Sequence, residues 1–392
     1  MNATILEMKI SQNIRLLSWF NFCSAFKLYS AIAIIYFSNI THSYALGISI
    51  FSIVQVANAV FEIPTGILSD KIGRKYTTLL GSSTRVLSLL FYATGQAYFV
   101  FVVGALFEGL SLAFFSGNND ALLHDTVSEM GEKEEYHEYL GKTRSMLYPS
   151  LMVAALLGGI LASISFPLVF WLSIIPQVVC VGLSLQIIEP KKHLTKDRGV
   201  YKHFTEAIQL LYKNIQLRRL AAAEILKLSI EELLFQFQIL FYNTLWPIWA
   251  VGLTRSVMAI GKFFSFRLSG RVINRFTAIK SLIINDIVTR IIHLFAIVFP
   301  SVFSPILMSS TGLLWGISEV ASNKLLQEQF GNKQRATMSS VISFLGNLLA
   351  GVVAVGIGLF SDRIGLINTL LVMQLFFVPI ILLYIQVKQS YD

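Results

Sequence analysis

Charged residues are scarce in this sequence. Asp, Glu, Lys and Arg make up 14% of its 392 residues, whereas hydrophobic residues make up 55%. An average soluble domain is about 25% charged, so a soluble chain of this length would have too few charges to cover its surface. Apolar stretches of about 20 residues, enough to cross a bilayer as a helix, recur along the chain. The composition therefore excludes an ordinary soluble protein and predicts a chain that is surrounded mostly by lipid.

The alternation that marks a membrane β-barrel is also missing. Barrel strands place apolar and polar residues in turn, whereas the segments 151–164 and 366–385 do not alternate. Because lipid offers the backbone no hydrogen-bond partners, membrane-spanning helices are the remaining solution. We therefore predict an all-α membrane protein.

Cysteine and histidine patterns give no sign of a metal or redox site. The two cysteines, Cys23 and Cys180, lie in apolar segments and form neither a disulfide framework nor a metal-binding spacing. The histidines show no HExxH pattern, and the sequence contains no GxxxxGK[ST] phosphate loop. Residues 1–15 are polar and carry no cleavable signal pattern. We therefore expect no cofactor, no bound metal and no ATP-driven step.

The apolar segments predict twelve membrane-spanning helices, which would place both termini on the same side. A basic loop at 189–216 divides two six-helix bundles, 1–188 and 217–392. If this loop forms a helix, one face of the helix is apolar, which is typical of a helix lying on the membrane surface. A plain solvated linker is the alternative. The predicted spans are 15–38, 43–66, 77–96, 98–123, 146–165, 167–188, 217–243, 250–270, 278–298, 301–323, 337–360 and 365–387.

Lysine and arginine are unevenly distributed between the two sides of these helices. The net charge of +9 is by itself compatible with nucleic-acid binding. However, the basic residues cluster in alternate loops, such as 71–75, 191–202 and 271–275, and the opposite loops hold only Arg255 and Arg363. This asymmetry follows the positive-inside rule. It predicts a multi-pass protein of the plasma (inner) membrane with cytoplasmic termini, in contact with the lipid bilayer and without a nucleic-acid partner.

The loop between the second and third predicted helices reads GILSDKIGRK over residues 66–75. It resembles the signature loop of the major facilitator superfamily, G-x-L-x-D-R-x-G-R-K, with Lys71 at the first Arg. The resemblance implies two six-helix bundles that alternate access to a central site. It also implies that this signature loop latches the two halves on the cytoplasmic side in one state. The residues assigned to the latch are Gly66, Asp70, Gly73, Arg74, Asp120 and Asp125.

Physical chemistry assigns a role to several latch residues. Asp70 can cap a helix N-terminus, and Gly73 permits a turn with positive φ. Arg74 can pair with Asp120 or Asp125 at the end of the fourth predicted helix. When the sequence is shifted by 200 residues, the segment 68–77 falls on 268–277, where Gly270 replaces the Asp. The latch is therefore expected to be asymmetric.

Two motifs of drug:proton antiporters within the superfamily are incomplete here. Their R-x-x-Q-G motif aligns with ALFEG at 105–109, which lacks the Arg and has Glu108 in place of the Gln. Their G-P-x-x-G-G motif aligns with 154–159, which lacks the Pro. Drug export is therefore compatible with the sequence but not indicated by it.

Ionisable residues inside the predicted helices are functional candidates, because a charge at mid-bilayer costs about 3 kcal/mol on insertion scales. We expect Asp286 with Arg290, and Glu224 with Lys227, to form structural pairs along their own helices. The residues assigned to a substrate or proton site are Lys27, Glu108, Asn119, Glu231, Glu232 and Glu319. Glu231 and Glu232 cannot both face one way, so one of the two is expected to face the cavity. For each charged candidate, a satisfied ion pair with no role in transport carries equal weight.

Glu108 has two alternative roles in this interpretation. It either carries the coupling proton, because ionisation in a dry cavity is costly, or stays ionised against Lys27 as a structural pair. Asn119 is expected three turns further along the same helix face.

The sequence thus predicts a monomeric secondary transporter that moves a small solute by alternating access, coupled to H⁺, with efflux as one direction. An uptake symporter or a uniporter is the alternative within transport. A membrane-embedded receptor or enzyme that retains the fold is the alternative of another class. No nucleophile–base or metal constellation is apparent in the sequence, so we predict that the protein is not an enzyme.

Overall fold

The computed structural model describes residues 2–190, 211, 214–329 and 335–389, and throughout them the regular secondary structure is helical. The predicted all-α class is confirmed. The predicted surface helix of the loop 189–216 falls mainly on 191–210 and 212–213, outside the described residues. The helices are α1 Asn2–Ala25, α2 Ala33–Thr41, α3 Tyr44–Ile72, α4 Arg74–Thr94, α5 Tyr98–Phe115, α6 Asn118–Glu129, α7 Tyr136–Ser145, α8 Leu147–Ala162, α9 Phe166–Gln186, α10 Ile215–Leu245, α11 Ile248–Phe276, α12 Ala278–Val298, α13 Ser304–Ser310, α14 Gly312–Glu328, α15 Arg335–Ile364, α16 Leu366–Leu375 and α17 Phe377–Lys388.

The chain forms two compact units. The first comprises Met1–His42 and Ile53–Thr195, and the second comprises Ser43–Ser52 and Lys196–Asp392. Helix α3 therefore begins in the second unit and continues in the first. The predicted division into 1–188, 189–216 and 217–392 stays a prediction.

Seven segments of the described chain are long and apolar enough to cross a membrane. They are Tyr44–Ile72, Tyr98–Glu129, Tyr136–Ala162, Phe166–Gln186, Ala278–Val298, Val341–Ile364 and Leu366–Lys388. The other five predicted spans, 15–38, 77–96, 217–243, 250–270 and 301–323, contain helix breaks or charged residues. The count of twelve therefore stays a prediction.

The first predicted span is a broken helix. Helix α1 ends at Ala25, a 3₁₀ turn follows at Leu28–Ala31, and α2 begins at Ala33. A break inside a membrane frees backbone carbonyls, which must then find other donors. Ser150 donates to the carbonyl of Phe22 at 2.6 Å, and Gln177 donates to that of Cys23 at 3.1 Å.

Helix α8 approaches this break through a glycine. A Cβ added at Gly158 would collide with the backbone carbonyl of Leu28. Only a residue without a side chain allows the two backbones to come this close. Gly158 therefore fixes the position of the 3₁₀ turn, which contains Tyr29, and of Lys27 directly before it.

An aromatic layer fills the core of the first unit beyond the turn. The ring of Phe37 lies 4.9 Å from that of Phe101 and 5.1 Å from that of Tyr92, and Tyr36 lies 5.0 Å from Phe170. Such contacts add to area burial and hold large rings in place. Tyr92 is thereby positioned with its hydroxyl directed at α5.

Candidate functional site

Glu108 of α5 is the centre of a buried polar cluster in the first unit. Its Oε1 accepts hydrogen bonds from Arg85 Nη1 and, at 2.9 Å, from the hydroxyl of Tyr29. Its Oε2 accepts from the hydroxyl of Tyr92 at 3.1 Å. Lys27 Nζ lies 3.9 Å from Oε1. We call Lys27, Tyr29, Arg85, Tyr92 and Glu108 the Glu108 cluster.

The cluster is charged and almost dry. The side chain of Arg85 is 3% exposed, that of Glu108 12% and that of Lys27 26%. Two cations face one carboxylate, so the cluster carries a net charge of +1 when all three groups are ionised. Three donors to one carboxylate satisfy it fully and favour its ionised form.

Sequence reasoning found only part of this cluster. It paired Lys27 with Glu108 but missed the closer partner, Arg85, and both tyrosines. Arg85 and Tyr92 are seven residues apart on α4, a spacing that puts them on one helix face. That spacing was the sequence feature from which these two residues could have been placed in one site.

Asn119 does not share a helix face with Glu108, and this prediction is wrong. Helix α5 ends at Phe115, and Gly117 has a φ of 68° before α6 begins at Asn118. This break rotates Asn119 away from the cluster. Its side chain instead lies 3.5 Å from those of Thr78 and Asn118.

Asn119 lines a cavity of about 320 Å³ in the first unit. The ion pair between Asp120 Oδ2 and Arg144 Nη2, at 2.5 Å, lies in its wall. The cavity is thus separate from the Glu108 cluster, and polar and apolar residues both line it. Its lining residues are Leu17, Asn21, Phe115, Ser116, Gly117, Asn119, Asp120, Leu123, Thr143, Arg144 and Leu147.

The signature loop folds around Arg74. The Arg74 guanidinium lies 3.2 Å from Asp70 Oδ1 and 3.8 Å from Asp125 Oδ2, and it donates to Ser69 at 2.8 Å. Asp120 pairs with Arg144 rather than with Arg74.

Two further residues of the loop region shape the backbone. Gly73 has a φ of 101°, as a turn residue without a side chain can. The helix that follows is capped by Glu189, whose carboxylate accepts from the backbone N–H groups of Arg74 and Lys75, both at 2.7 Å. Within the described part of the chain, no neighbouring atom lies within 4 Å of the position that a Cβ of Gly66 would take.

A second copy of the loop sequence, missed at the sequence level, ends α15. Residues 358–365 read GLFSDRIG, against GILSDKIG at 66–73. Gly365 has φ 82° and ψ 166°, close to the 101° and 164° of Gly73. Comparing the sequence with itself at other offsets than 200 would have found this repeat.

Asp362 of the second copy caps α3. Its Oδ1 accepts from the backbone N–H of Tyr44 at 2.7 Å, and its Oδ2 accepts from the hydroxyl of Ser43 at 2.5 Å and the N–H of Ala45 at 3.3 Å. All four residues belong to the second unit. A carboxylate at this position satisfies N–H groups that the helix leaves open.

A second buried cluster surrounds Lys227 of α10 in the second unit. Lys227 Nζ lies 3.2 Å from Asp286 Oδ1 and 3.9 Å from Glu231 Oε1. The predicted pairs along single helices are wrong. Glu224 accepts from Ser322 and Tyr384, and Arg290 donates to Gln374 at 2.9 Å.

The other two acidic candidates make only local contacts among the described residues. Glu232 accepts from Gln236 at 3.0 Å, and Glu319 accepts from Asn323 at 3.1 Å, each four residues away. The Glu319 residue is exposed. The structure therefore draws Glu231, but not Glu319, into a buried ion-pair network.

Comparison with known families identifies the chain. The family model described as Major Facilitator Superfamily matches residues 16–355. An uncharacterized transporter of Buchnera aphidicola is 24% identical over 179 residues, which are 45% of this chain and 44% of that protein. An uncharacterized MFS-type transporter of Methanocaldococcus jannaschii is 30% identical over 146 residues, 36% of this chain and 34% of that protein. The matched segments thus span less than half the length of these relatives.

Solved structures share the fold over nearly the whole chain. The nucleoside transporter NupG superposes with a TM-score of 0.78 at 13% identity, over 98% of this chain and 99% of NupG. A bacterial homolog of the human lysosomal transporter Spinster gives 0.75 at 14% identity, over 98% and 97%. A POT family transporter in complex with 5-aminolevulinic acid gives 0.72 at 13% identity, over 97% of both chains. The family match, the fold and the signature loop agree: the chain belongs to the Major Facilitator Superfamily of membrane transporters.

Proposed function

We propose that the protein is a secondary active transporter that moves a small solute by alternating access and couples this movement to protons. It works as a monomer in the plasma (inner) membrane, with both termini in the cytoplasm. The basic loops support this orientation, because they lie on the side that the positive-inside rule assigns to the cytoplasm.

The observation that carries the proposal is the Glu108 cluster. Burying two cations and a carboxylate in membrane helices is unfavourable, so such groups are retained where they bind something. The broken first helix adds polar backbone beside Lys27, a feature of substrate sites in transporters. Because the cluster carries a net charge of +1, we propose that the solute has an anionic group, which Lys27 and Arg85 attract.

The signature loop supports alternating access. We propose that Asp70, Arg74 and Asp125 change the balance between inward- and outward-facing states. Their contacts, at 3.2 and 3.8 Å, join the end of α3 to α4 and α6, which are elements of the cytoplasmic side in the proposed topology.

The test is a thermal-shift screen of solutes on the purified protein, followed by transport in proteoliposomes. A ligand that binds only the folded state raises the melting temperature. The screen compares anionic, neutral and cationic solutes, and it includes nucleosides and 5-aminolevulinic acid because structurally similar transporters act on or bind them. We expect an anionic solute to stabilise the protein and to accumulate in vesicles when a pH gradient is imposed. Stabilisation by cations alone would contradict the proposed substrate class.

The alternatives give different results in the same assays. A uniporter equilibrates the solute without responding to the pH gradient. An uptake symporter and an exporter differ in the orientation of the gradient that drives accumulation. A receptor or enzyme that retains the fold binds the solute but never moves it across the vesicle membrane.

A further inference from the structure

Three ionisable residues share one face of α10. Glu224, Lys227 and Glu231 are spaced by three and four residues, which aligns them along the helix. Lys227 lies in the middle, and its ammonium group reaches Asp286 of α12. A single cation is therefore placed between carboxylates of its own helix and of a neighbour.

Lys227 forms ion pairs with two carboxylates at the same time. Asp286 Oδ1 lies 3.2 Å from its ammonium nitrogen and Glu231 Oε1 lies 3.9 Å from it. Asp286 is 5% exposed, and its Oδ2 is buried without a hydrogen-bond partner in the described part of the chain. A buried carboxylate oxygen without a donor is unfavourable, so Asp286 and Glu231 compete for one lysine.

Nearby cations lie against aromatic rings. Lys262 Nζ is 3.7 Å from the ring centre of Trp315, and the Arg290 guanidinium is 3.7 Å from that of Phe377. Both cations act on Glu231 electrostatically but, among the described residues, lie beyond ion-pair distance from it. The direct contacts to Glu231 and Asp286 are therefore left to Lys227.

Charged groups of its own helix and of neighbouring helices surround Glu231. Those that act on it electrostatically are Glu224, Lys227, Lys262, Asp286 and Arg290. Lys262 is in turn affected by Glu232, Arg255 and Glu319, and the hydroxyl of Tyr384 donates to Glu224. Among the described residues, Lys227 is the cation that lies within 4 Å of Glu231.

Glu231 has the fewest donors of the three acidic groups in the buried network. Glu224 accepts from two hydroxyls, and Asp286 holds the shorter contact to Lys227. The Glu231 side chain is 30% exposed, against 7% for that of Asp286, so it is the more accessible of the two. We propose that Glu231 takes up and releases the coupling proton of transport, and that Lys227 shifts between Glu231 and Asp286 as it does so.

The exchange links protonation to helix packing. When Glu231 is ionised, Lys227 is shared between α10 and α12. When Glu231 gains a proton, Lys227 pairs with Asp286 alone and draws α10 closer to α12 at this point. The inference rests on the proposed transport function, because it names the carrier of the coupling proton in that function.

Infrared difference spectroscopy tests the site with the proton itself as the probe. The purified full-length protein is reconstituted, and spectra are compared across a pH change in H₂O. We expect a protonated-carboxyl band in the wild type, loss of that band in Glu231→Gln, and its retention in Glu328→Gln, the matched control on an exposed carboxylate at the end of α14. An unchanged band in Glu231→Gln overturns the proposal.

Asp286→Asn provides a second variant in case Glu231→Gln does not fold. Without Asp286, Lys227 pairs with Glu231 alone and favours its ionised form, so the band should weaken at neutral pH. A band of wild-type strength in Asp286→Asn contradicts the sharing of Lys227.

Transport assays distinguish a failure of this inference from a failure of the proposed function. A gradient of one pH unit drives about tenfold accumulation per proton. Glu231→Gln should lose this accumulation and keep solute counterflow, whereas Glu328→Gln should keep both. Gradient-driven accumulation by Glu231→Gln overturns the proposal. If the wild type moves no solute, the proposed function fails, and the infrared band still decides whether Glu231 binds the proton.

Discussion

At the scale of single residues, Glu108 is the most informative substitution in the first unit. Glu108→Gln keeps the size of the side chain but leaves Arg85, with a side chain that is 3% exposed, without its carboxylate. Removing one partner of a buried ion pair costs about 3–5 kcal/mol. We therefore expect a marked fall in the melting temperature of the purified variant.

The same variant decides between the two roles left open for Glu108. Its three hydrogen-bond donors and the nearby Lys27 favour an ionised carboxylate. We therefore expect Glu108→Gln to retain the protonated-carboxyl band assigned to Glu231. Loss of that band with an unchanged melting temperature would identify Glu108 as the proton carrier instead.

The residues of this cluster were only partly predictable. A lone charge in an apolar helix is visible in the sequence, so Lys27, Arg85 and Glu108 could be recognised. Whether Lys27 or Arg85 lies closer to Glu108 depends on the rotation of α4 and on the helix break after Ala25. Residue spacing alone predicts neither of these features. Tyr29 gave no signal because aromatic residues are common in membrane helices, and Tyr92 could be assigned only through its spacing from Arg85.

At the scale of secondary-structure elements, the break in the first helix depends on Gly158. Gly158→Ala places a Cβ against the carbonyl of Leu28. Overpacking of this kind costs about 1–3 kcal/mol, so the variant should melt at a lower temperature and bind solute more weakly, because Lys27 and Tyr29 move with the turn.

A matched glycine supplies the control for this substitution. Gly182 lies within α9, and no neighbouring atom of the described chain comes within 4 Å of the position that a Cβ would occupy there. Gly182→Ala should be neutral or stabilising by about 0.5–1 kcal/mol, since alanine is the better helix former. Equal melting temperatures for the two variants would show that the approach of α8 to the turn is not tight.

The two copies of the loop octapeptide allow a second paired test. Asp362→Ala removes three hydrogen bonds at the start of α3, and loss of a cap costs about 0.5–2 kcal/mol. Asp70→Ala removes a contact from a side chain that is 73% exposed, and exposed ion pairs contribute little to stability.

We therefore expect Asp362→Ala to lower the melting temperature and Asp70→Ala to leave it nearly unchanged while reducing transport. The measurements are thermal unfolding and solute counterflow on the same preparations. A larger loss of stability in Asp70→Ala would reverse these assignments.

At the scale of the whole molecule, the sequence predicted the helical class and the superfamily, but the number of spans depends on helices that are poor in apolar residues. The predicted spans 77–96 and 217–243 contain Arg85 and the Lys227 cluster of charges. Buried charged residues lower the mean hydropathy of the helix that contains them. The partners that neutralise these charges are distant in sequence, so the hydropathy of the segment does not reveal them. The segments hardest to recognise as spans are therefore those that carry the candidate sites.

Helix α11 offers the clearest test of the twelve-span topology. It has 29 residues, about 44 Å at 1.5 Å per residue, which exceeds the roughly 30 Å of a bilayer core. It is absent from the seven strongly apolar segments, and it contains Lys262 and Arg267. If it crosses the membrane, its two ends lie on opposite sides.

Labelling of single cysteines at positions 249 and 276 shows on which side of the membrane each end of α11 lies, because Trp249 and Phe276 are both exposed. In a background with Cys23 and Cys180 replaced, an impermeant maleimide should label Trp249→Cys from outside intact cells. The same reagent should label Phe276→Cys only in inverted vesicles, because Arg271 and Arg275 hold that end in the cytoplasm. Tyr76→Cys, at the exposed start of α4, is the control for the cytoplasmic side. Labelling of Trp249→Cys and Phe276→Cys from the same side would exclude α11 as a span and, with it, the twelve-helix count.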